Sequence, residues 1–299
     1  MTLAIFEVTR HELLTLIKTK RALAIAIMYL TCALIAGLAI ILVVRFIEKE
    51  ALARLIQEGA DPLSAAGTLS LMSEPAYQRL AGFFAGARPD EVAASLRQSV
   101  VLPFFLWGSL AFLPFLILLA SFDVMAADLQ SRSILYTVLR APRVAILSGK
   151  VIAHSALFVT VTALGSLALA LLAGALLESF SLTTAALGIV RIWLTLLPFG
   201  LCYLAISSFA SVLVGQPFGA LLVSFALVMG LRVVGWFRYV SEESLIAFMR
   251  HLEWVSPVTY HKGLWLAGVS GPLTSSGAYL GFAALFFALA AWRLRSRDL

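Results

Sequence analysis

The run VIAHSALFVTVTALGSLALALLAGALL, from Val151 to Leu177, decides the fold. It contains one histidine and no Asp, Glu, Lys or Arg. As a helix rising about 1.5 Å per residue it is about 40 Å long, more than the roughly 30 Å hydrocarbon thickness of a bilayer. A soluble helix of that length would show a polar stripe, whereas this run is apolar all round. Reading outward, similar runs recur at Ala22–Val44, Val100–Phe122, Leu187–Leu213 and Gly219–Phe237, with a shorter one at Gly277–Trp292. A membrane β-barrel would need segments of about ten alternating residues. The pattern therefore predicts an all-α integral membrane protein with six transmembrane helices, organised as a single domain over residues 1–299. Composition agrees. Of the 299 residues 61% are hydrophobic and 13% charged, and mean hydropathy is +0.98. Soluble domains carry about 25% charged residues. Disorder is excluded, and a water-soluble enzyme would lack the charge to cover its surface.

The first run is too long for the apolar core of a cleavable signal, which is about 7–15 residues. Tyr29-Leu30-Thr31 before Cys32 is a poor lipoprotein cleavage site. Cys32 and Cys202, the only cysteines, lie within spans and read as small buried hydrophobes. Trp193, Trp236, Trp254, Trp265 and Trp292 fall at or near the expected interfaces.

Charge sets the orientation. Residues 1–21, 123–150, 214–218 and 293–299 hold eleven Lys/Arg and five Asp/Glu, a balance of 11 − 5 = +6, which is the whole net charge of the chain. Basic excess marks the cytoplasm. The expectation is a multi-pass protein of the cytoplasmic (inner) membrane with both termini cytoplasmic. The isoelectric point of 9.6 is then a signature of topology and not of nucleic-acid binding.

Four segments lie outside the spans. Residues 1–21 place Leu3, Phe6, Leu13, Leu14 and Ile17 against Glu7, Arg10, Glu12 and Lys18, the pattern of an interfacial helix. A plain extension of the first span is the simpler alternative. Residues 45–99 form an outer loop with helical spacing from Ile47 to Ile56, a Pro/Gly/Ser-rich passage from Gly59 to Pro75, and a second helical stretch over Glu91–Arg97. Residues 123–150 form a cytoplasmic loop in which Ile134, Leu135, Val138 and Leu139 follow one helical face until Pro142 ends it. That face needs a partner, either lipid or protein. Residues 238–276 contain a helical stretch over Leu245–Trp254, then Ser256-Pro257, then Gly263–Gly271, which suggests short re-entrant outer helices before the last span. Such backbone is tolerated at membrane depth only against protein or a water-filled cavity.

Catalytic motifs are missing. Gly149-Lys150 lacks the rest of a phosphate-binding loop, there is no HExxH or GxSxG, and His11, His154, His251 and His261 are scattered. The reading gives no catalytic residue, metal site or cofactor in this chain. Arg191 and Arg232 share the outer half of the membrane. Two readings stay open for them: binding of an anionic group such as a lipid phosphate, or snorkelling and structural pairing.

The order of parts resembles an ABC-2 type permease, the transmembrane subunit of one class of ABC transporter, mostly exporters. Two stretches carry the resemblance. One runs from Asp128 through Leu139, Pro142, Arg143 and Ile146 to Gly149-Lys150; the other is Ser256-Pro257 followed by Tyr260, His261 and Gly268. The family's acidic run with Gly-Thr before the helix is replaced here by Leu129-Gln130-Ser131-Arg132-Ser133-Ile134. The resemblance implies a separate cytoplasmic ABC ATPase carrying ATP and magnesium, and a second permease copy or homologue. It implies a coupling helix formed by Asp128, Arg132, Leu135, Leu139, Arg140, Pro142 and Arg143, with Arg132, Leu135 and Leu139 making the contact itself. The Val214–Pro217 turn and the N-terminal helix would sit nearby. The length of the outer loop hints at a periplasmic partner or a gate. Against the permease stand a secondary transporter, which would show paired halves and a midplane acid, and a membrane-embedded lipid-modifying enzyme, which would show convergent polar groups at one interface.

Overall fold

The protein, seen as a computed structural model, is described at residues 2–57, 75–85, 101–177, 180, 182–236, 247–265 and 270–297. Among these residues the chain is helical and has no strand. The α-helices are α1 (Thr2–Lys18), α2 (Lys20–Gln57), α3 (Pro75–Ala85), α4 (Leu102–Ser121), α5 (Ala126–Gln130), α6 (Ile134–Val138), α7 (Arg143–Leu176), α8 (Leu182–Val214), α9 (Pro217–Trp236) and α10 (Ser270–Arg295). Six of them, α2, α4 and α7 to α10, are long and apolar enough to cross a membrane. They correspond to the six runs of the sequence.

Three boundaries differ from the sequence reading. The third long helix begins at Arg143, eight residues before Val151, because Lys150 is paired and buried and so does not interrupt the helix. The sixth begins at Ser270 and is 26 residues long, not a short span. The spacing from Ile47 to Ile56 is no separate helix but the continuation of α2, whose 38 residues extend about 57 Å. The passage from Gly59 to Glu74 and the Glu91–Arg97 stretch lie outside the described residues. Between them α3 had no sequence signal, and it packs on α4 through Tyr77, whose ring meets that of Phe104 edge-on at 6.0 Å.

α8 is the inner helix. Of its apolar window 67% is buried inside the chain, against 17% for α10. It packs on α4, α7, α9 and α10, while Leu164, Leu171, Leu194, Leu222 and Leu285 point away from the bundle. The end of α4, the starts of α7 and α9, and the ends of α8 and α10 meet at one end of the bundle, together with α1. This is the terminal end. The opposite, far end is built from aromatic rings, including Phe104, Trp107, Phe199 and Tyr279.

Among the described residues before α10 are 3-10 helices at Ala247–Val255, Pro257–Tyr260 and Lys262–Leu264, the first of them within the helical stretch read from the sequence over Leu245–Trp254. Ser256 Oγ accepts from Val258 N at 3.2 Å and donates to the Leu231 carbonyl at 2.6 Å, tying the turn to α9. Trp265 packs edge-on against Trp107 of α4 at 5.9 Å. Ser256, Pro257, Leu264 and Trp265 are thus buried against protein, while Leu252, Trp254 and Val255 of the first turn are exposed. Both cysteines are free; Cys202 is buried as expected, but Cys32 is exposed on the outer side of α2.

Candidate functional site at the terminal end

The site grows from a dipeptide. At Gly149 a Cβ would meet the Val8 side chain at 2.7 Å and the Ile5 carbonyl at 3.1 Å. Only glycine lets α1 lie this close to α7. Thr9 Oγ1 donates to the Gly149 carbonyl at 3.2 Å and fixes the register. The next residue, Lys150, then points between elements. Its Nζ lies 2.9 Å from Glu12 Oε2 on α1 and 3.1 Å from Asp128 Oδ2 on α5. Ser133 Oγ donates to the other Asp128 oxygen at 3.1 Å. One ammonium thus joins three segments that are distant in sequence.

Burial gives the junction its weight. The Lys150 and Glu12 side chains are 11% and 14% exposed. Removing one partner from a buried ion pair costs about 3–5 kcal/mol, because the other charge is left uncompensated. Asp128, 29% exposed, is the least costly member to lose.

The same end is clamped at two further points. Ser211 Oγ on α8 accepts from Met125 N at 2.9 Å and Ala126 N at 2.8 Å, so a side chain from another helix caps the start of α5. Arg143 Nη1 donates to the carbonyls of Leu294, Arg295 and Arg297 at 3.0, 3.1 and 2.7 Å, satisfying the open end of α10. Arg297 in turn donates to the Val212 carbonyl at 2.8 Å, packed over Gly215, whose φ of +72° makes the tight turn between α8 and α9.

A cleft of about 1180 Å³ opens between α1 and the 123–141 segment, with Glu7, Asp123, Tyr136 and Arg140 on its walls beside the Lys150 cluster. His154 Nδ1 is hydrogen-bonded to the Lys150 carbonyl. The described residues hold no group of His, Cys, Asp or Glu that would take a metal ion. The arrangement ties α1, α5 and α7 to one point.

The predicted coupling residues divide into two sets. Asp128 and Arg143 face inward and hold the junction, and Pro142 occupies the N-cap position of α7. Arg132, Leu135, Leu139 and Arg140 are exposed, Leu139 to 85%. The expected single helix from Asp128 to Pro142 is a correction. The chain forms two short helices, broken where Arg132 adopts a φ of +58°. Because α6 is only five residues long, its apolar stripe splits: Ile134 is buried, while Leu135 and Leu139 stand out beside Tyr136.

Glu12, Ser211 and Tyr136 were not singled out by the sequence. Glu12 was placed on a solvated face; the one signal for it was the acidic residue on α1 facing the unexplained Gly-Lys pair. Arg191 lies on α8 and Arg232 on α9, where the Arg232 guanidinium stands over the Phe115 ring of α4 at 5.8 Å. The chain matches no model of a known protein family, and no curated protein is significantly similar to it.

Proposed function

We propose that this chain is the permease subunit of an ATP-driven, ABC-2-type transporter that exports or flips its substrate across the cytoplasmic membrane. The terminal end is the cytoplasmic one in this reading. One observation carries it: an exposed turn bearing Leu135, Tyr136 and Leu139 is fastened through Asp128 and Lys150 to α1 and to the base of a long helix. A small apolar projection on a rigidly anchored base suits helix-in-groove docking. Force applied to the turn is passed to α7 through the ion pair and to α5 and α8 through Ser211, so the bundle moves as packed bodies. Arg132 and Arg140 flank the turn and would steer an acidic groove.

ATP and magnesium would be held by the partner ATPase, and a second permease copy would complete the transport path. The outer segments would meet any periplasmic partner. That α4 and α7 to α10 carry no Asp or Glu at all supports this reading over a secondary transporter, which places an acid at midplane. The lipid-modifying enzyme is disfavoured because the terminal-end groups are spent on one another.

The test is co-purification with an ABC ATPase encoded beside this chain, followed by vanadate-sensitive ATPase activity. The variant L135D/L139D should lose the complex while remaining folded in detergent. Undiminished complex formation and stimulated ATPase in that variant would reject the docking assignment.

A further inference from the structure

The cleft at the terminal end continues into the bundle. A narrower cavity of about 60 Å³ lies between α2, α4, α7 and α8, and Ile25, Ala120 and His154 line both spaces. The two cavities therefore meet at these three residues. From this mouth the narrow slot runs back along α4 from Ser121 to Leu113 and along α7 from His154 to Thr162. Each path covers eight residue steps, about 12 Å, leading away from the terminal end.

Five polar residues line the slot, yet its wall is apolar. Ser121 Oγ donates to the Ile117 carbonyl at 2.6 Å, Ser155 Oγ to the Val151 carbonyl at 2.7 Å, and Thr162 Oγ1 to the Phe158 carbonyl at 2.9 Å. The Tyr29 hydroxyl pairs with Ser109 Oγ at 3.1 Å, and His154 Nδ1 with the Lys150 carbonyl at 3.0 Å. Polar groups spent in this way offer little to hold a water, and an apolar cavity takes an apolar occupant. The cleft outside has the opposite character. Glu7, Glu12, Asp123 and Asp128 stand on its walls against only Lys150 and Arg140, an excess of negative charge that a concave surface concentrates. Tyr136 adds an aromatic ring to the same wall, a group whose face receives quaternary ammonium ions.

We infer that the cleft and the slot form one binding site for an organic cation of the quaternary-ammonium type that carries a short alkyl arm and enters from the aqueous side of the cleft. The charged head rests among the carboxylates, and the arm passes Ile25 and Ala120 into the slot. The slot holds about twice the volume of a water molecule in the liquid, which limits the arm to a few carbons. Each half of the site rejects a simpler ligand. An anion meets the acidic excess, and a compact inorganic cation leaves the slot empty. The inference concerns a ligand and is independent of what drives the protein.

The experiment titrates the purified full-length chain, in a non-ionic maltoside detergent and at one ionic strength, with four water-soluble probes: butyltrimethylammonium, tetramethylammonium, butanesulfonate and n-butanol. Binding is followed by calorimetry and by the thermal unfolding temperature. The expected result is saturable binding of butyltrimethylammonium, roughly tenfold tighter than that of tetramethylammonium because the added methylenes leave water, and none of the anion or the alcohol. Glu7→Gln combined with Asp123→Asn should weaken both cations several-fold. Ala120→Leu, which narrows the mouth of the slot, should abolish the advantage of the butyl arm and leave tetramethylammonium binding as it was. If Ala120→Leu does not fold, Ala26→Leu, on the slot wall, decides by the same titration. No saturable response to either cation, an equal response to butanol or butanesulfonate, or an arm advantage that persists in the narrowed variant overturns the proposal.

Discussion

Two cations, Lys150 at the terminal end and Arg232 at the far end, stand in opposite situations within one bundle. Lys150 has a carboxylate on either side, at 2.9 and 3.1 Å, supplied by segments far away in sequence. Arg232 has an aromatic face and, among the described residues, no carboxylate partner. The chain contains sixteen acidic residues, and α4 and α7 to α10 contain none, so an ion pair with these helices needs an acid from α1, α2 or a connecting segment. The contrast teaches that a cation in this fold is tied into its cohesion only where distant segments bring carboxylates to it.

The contrast breaks most readily on stability. Lys150→Met leaves Glu12 and Asp128 facing each other and should cost about 3–5 kcal/mol, read as a large fall in thermal unfolding temperature in detergent. Arg232→Met, with no lipid added, should be neutral or stabilising, because it removes an unpaired charge. Equal losses at the two positions would erase the distinction.

The triple variant with Glu12→Gln, Asp128→Asn and Lys150→Met removes every charge of the cluster together. It should recover most of the loss, to within about 1–2 kcal/mol of the parent. Failure to recover would mean that Lys150 acts through packing of its stem and not through charge.

Gly149→Val tests the contact on which the ion pair depends. The added side chain meets Val8 and the Ile5 carbonyl, so α1 must lift, at a cost of about 1–3 kcal/mol. Limited proteolysis within α1 should accelerate. Ser211→Ala should be milder, at about 1–2 kcal/mol for orphaning the amides of Met125 and Ala126. Hydrogen exchange at those two amides should rise while α7 is unchanged.

A pH-dependent effect lies at the far end. Burial, and the Arg232 charge beside it, push the His261 imidazole down to about 4 from its usual 6.5. The folded value is below the unfolded one, so stability present above pH 6.5 is lost as pH falls toward 4. His261→Gln should flatten the acid limb of a stability–pH profile between those values; an unchanged limb would place the titrating group elsewhere.

Reading the sequence found the six long helices because lipid imposes a length and an apolarity that survive without any knowledge of neighbours. Even so, it cut α7 short at Lys150, since a lysine reads as a boundary unless its two partners are known. It joined α5 and α6 into one helix because Ile134, Leu135, Val138 and Leu139 keep helical spacing, and the positive φ at Arg132 leaves no trace in residue type. Arg132, Leu135, Leu139 and Arg140 were legible as surface groups from amphipathicity alone. Glu12 and Ser211 were not, because each matters only through a contact across more than eighty residues.

The sequence by itself determined the helical class, the six apolar lengths and the placing of all six net positive charges in the segments at one end, because these follow from local composition and helix geometry. The tertiary structure decided which of those charges are satisfied. Pairing requires atoms within about 3 Å, and that proximity is created only when α1 settles on Gly149 and α5 is drawn to Ser211. It also left Arg232 Nε and the Tyr279 hydroxyl buried without a partner among the described residues, which no reading along the chain could supply.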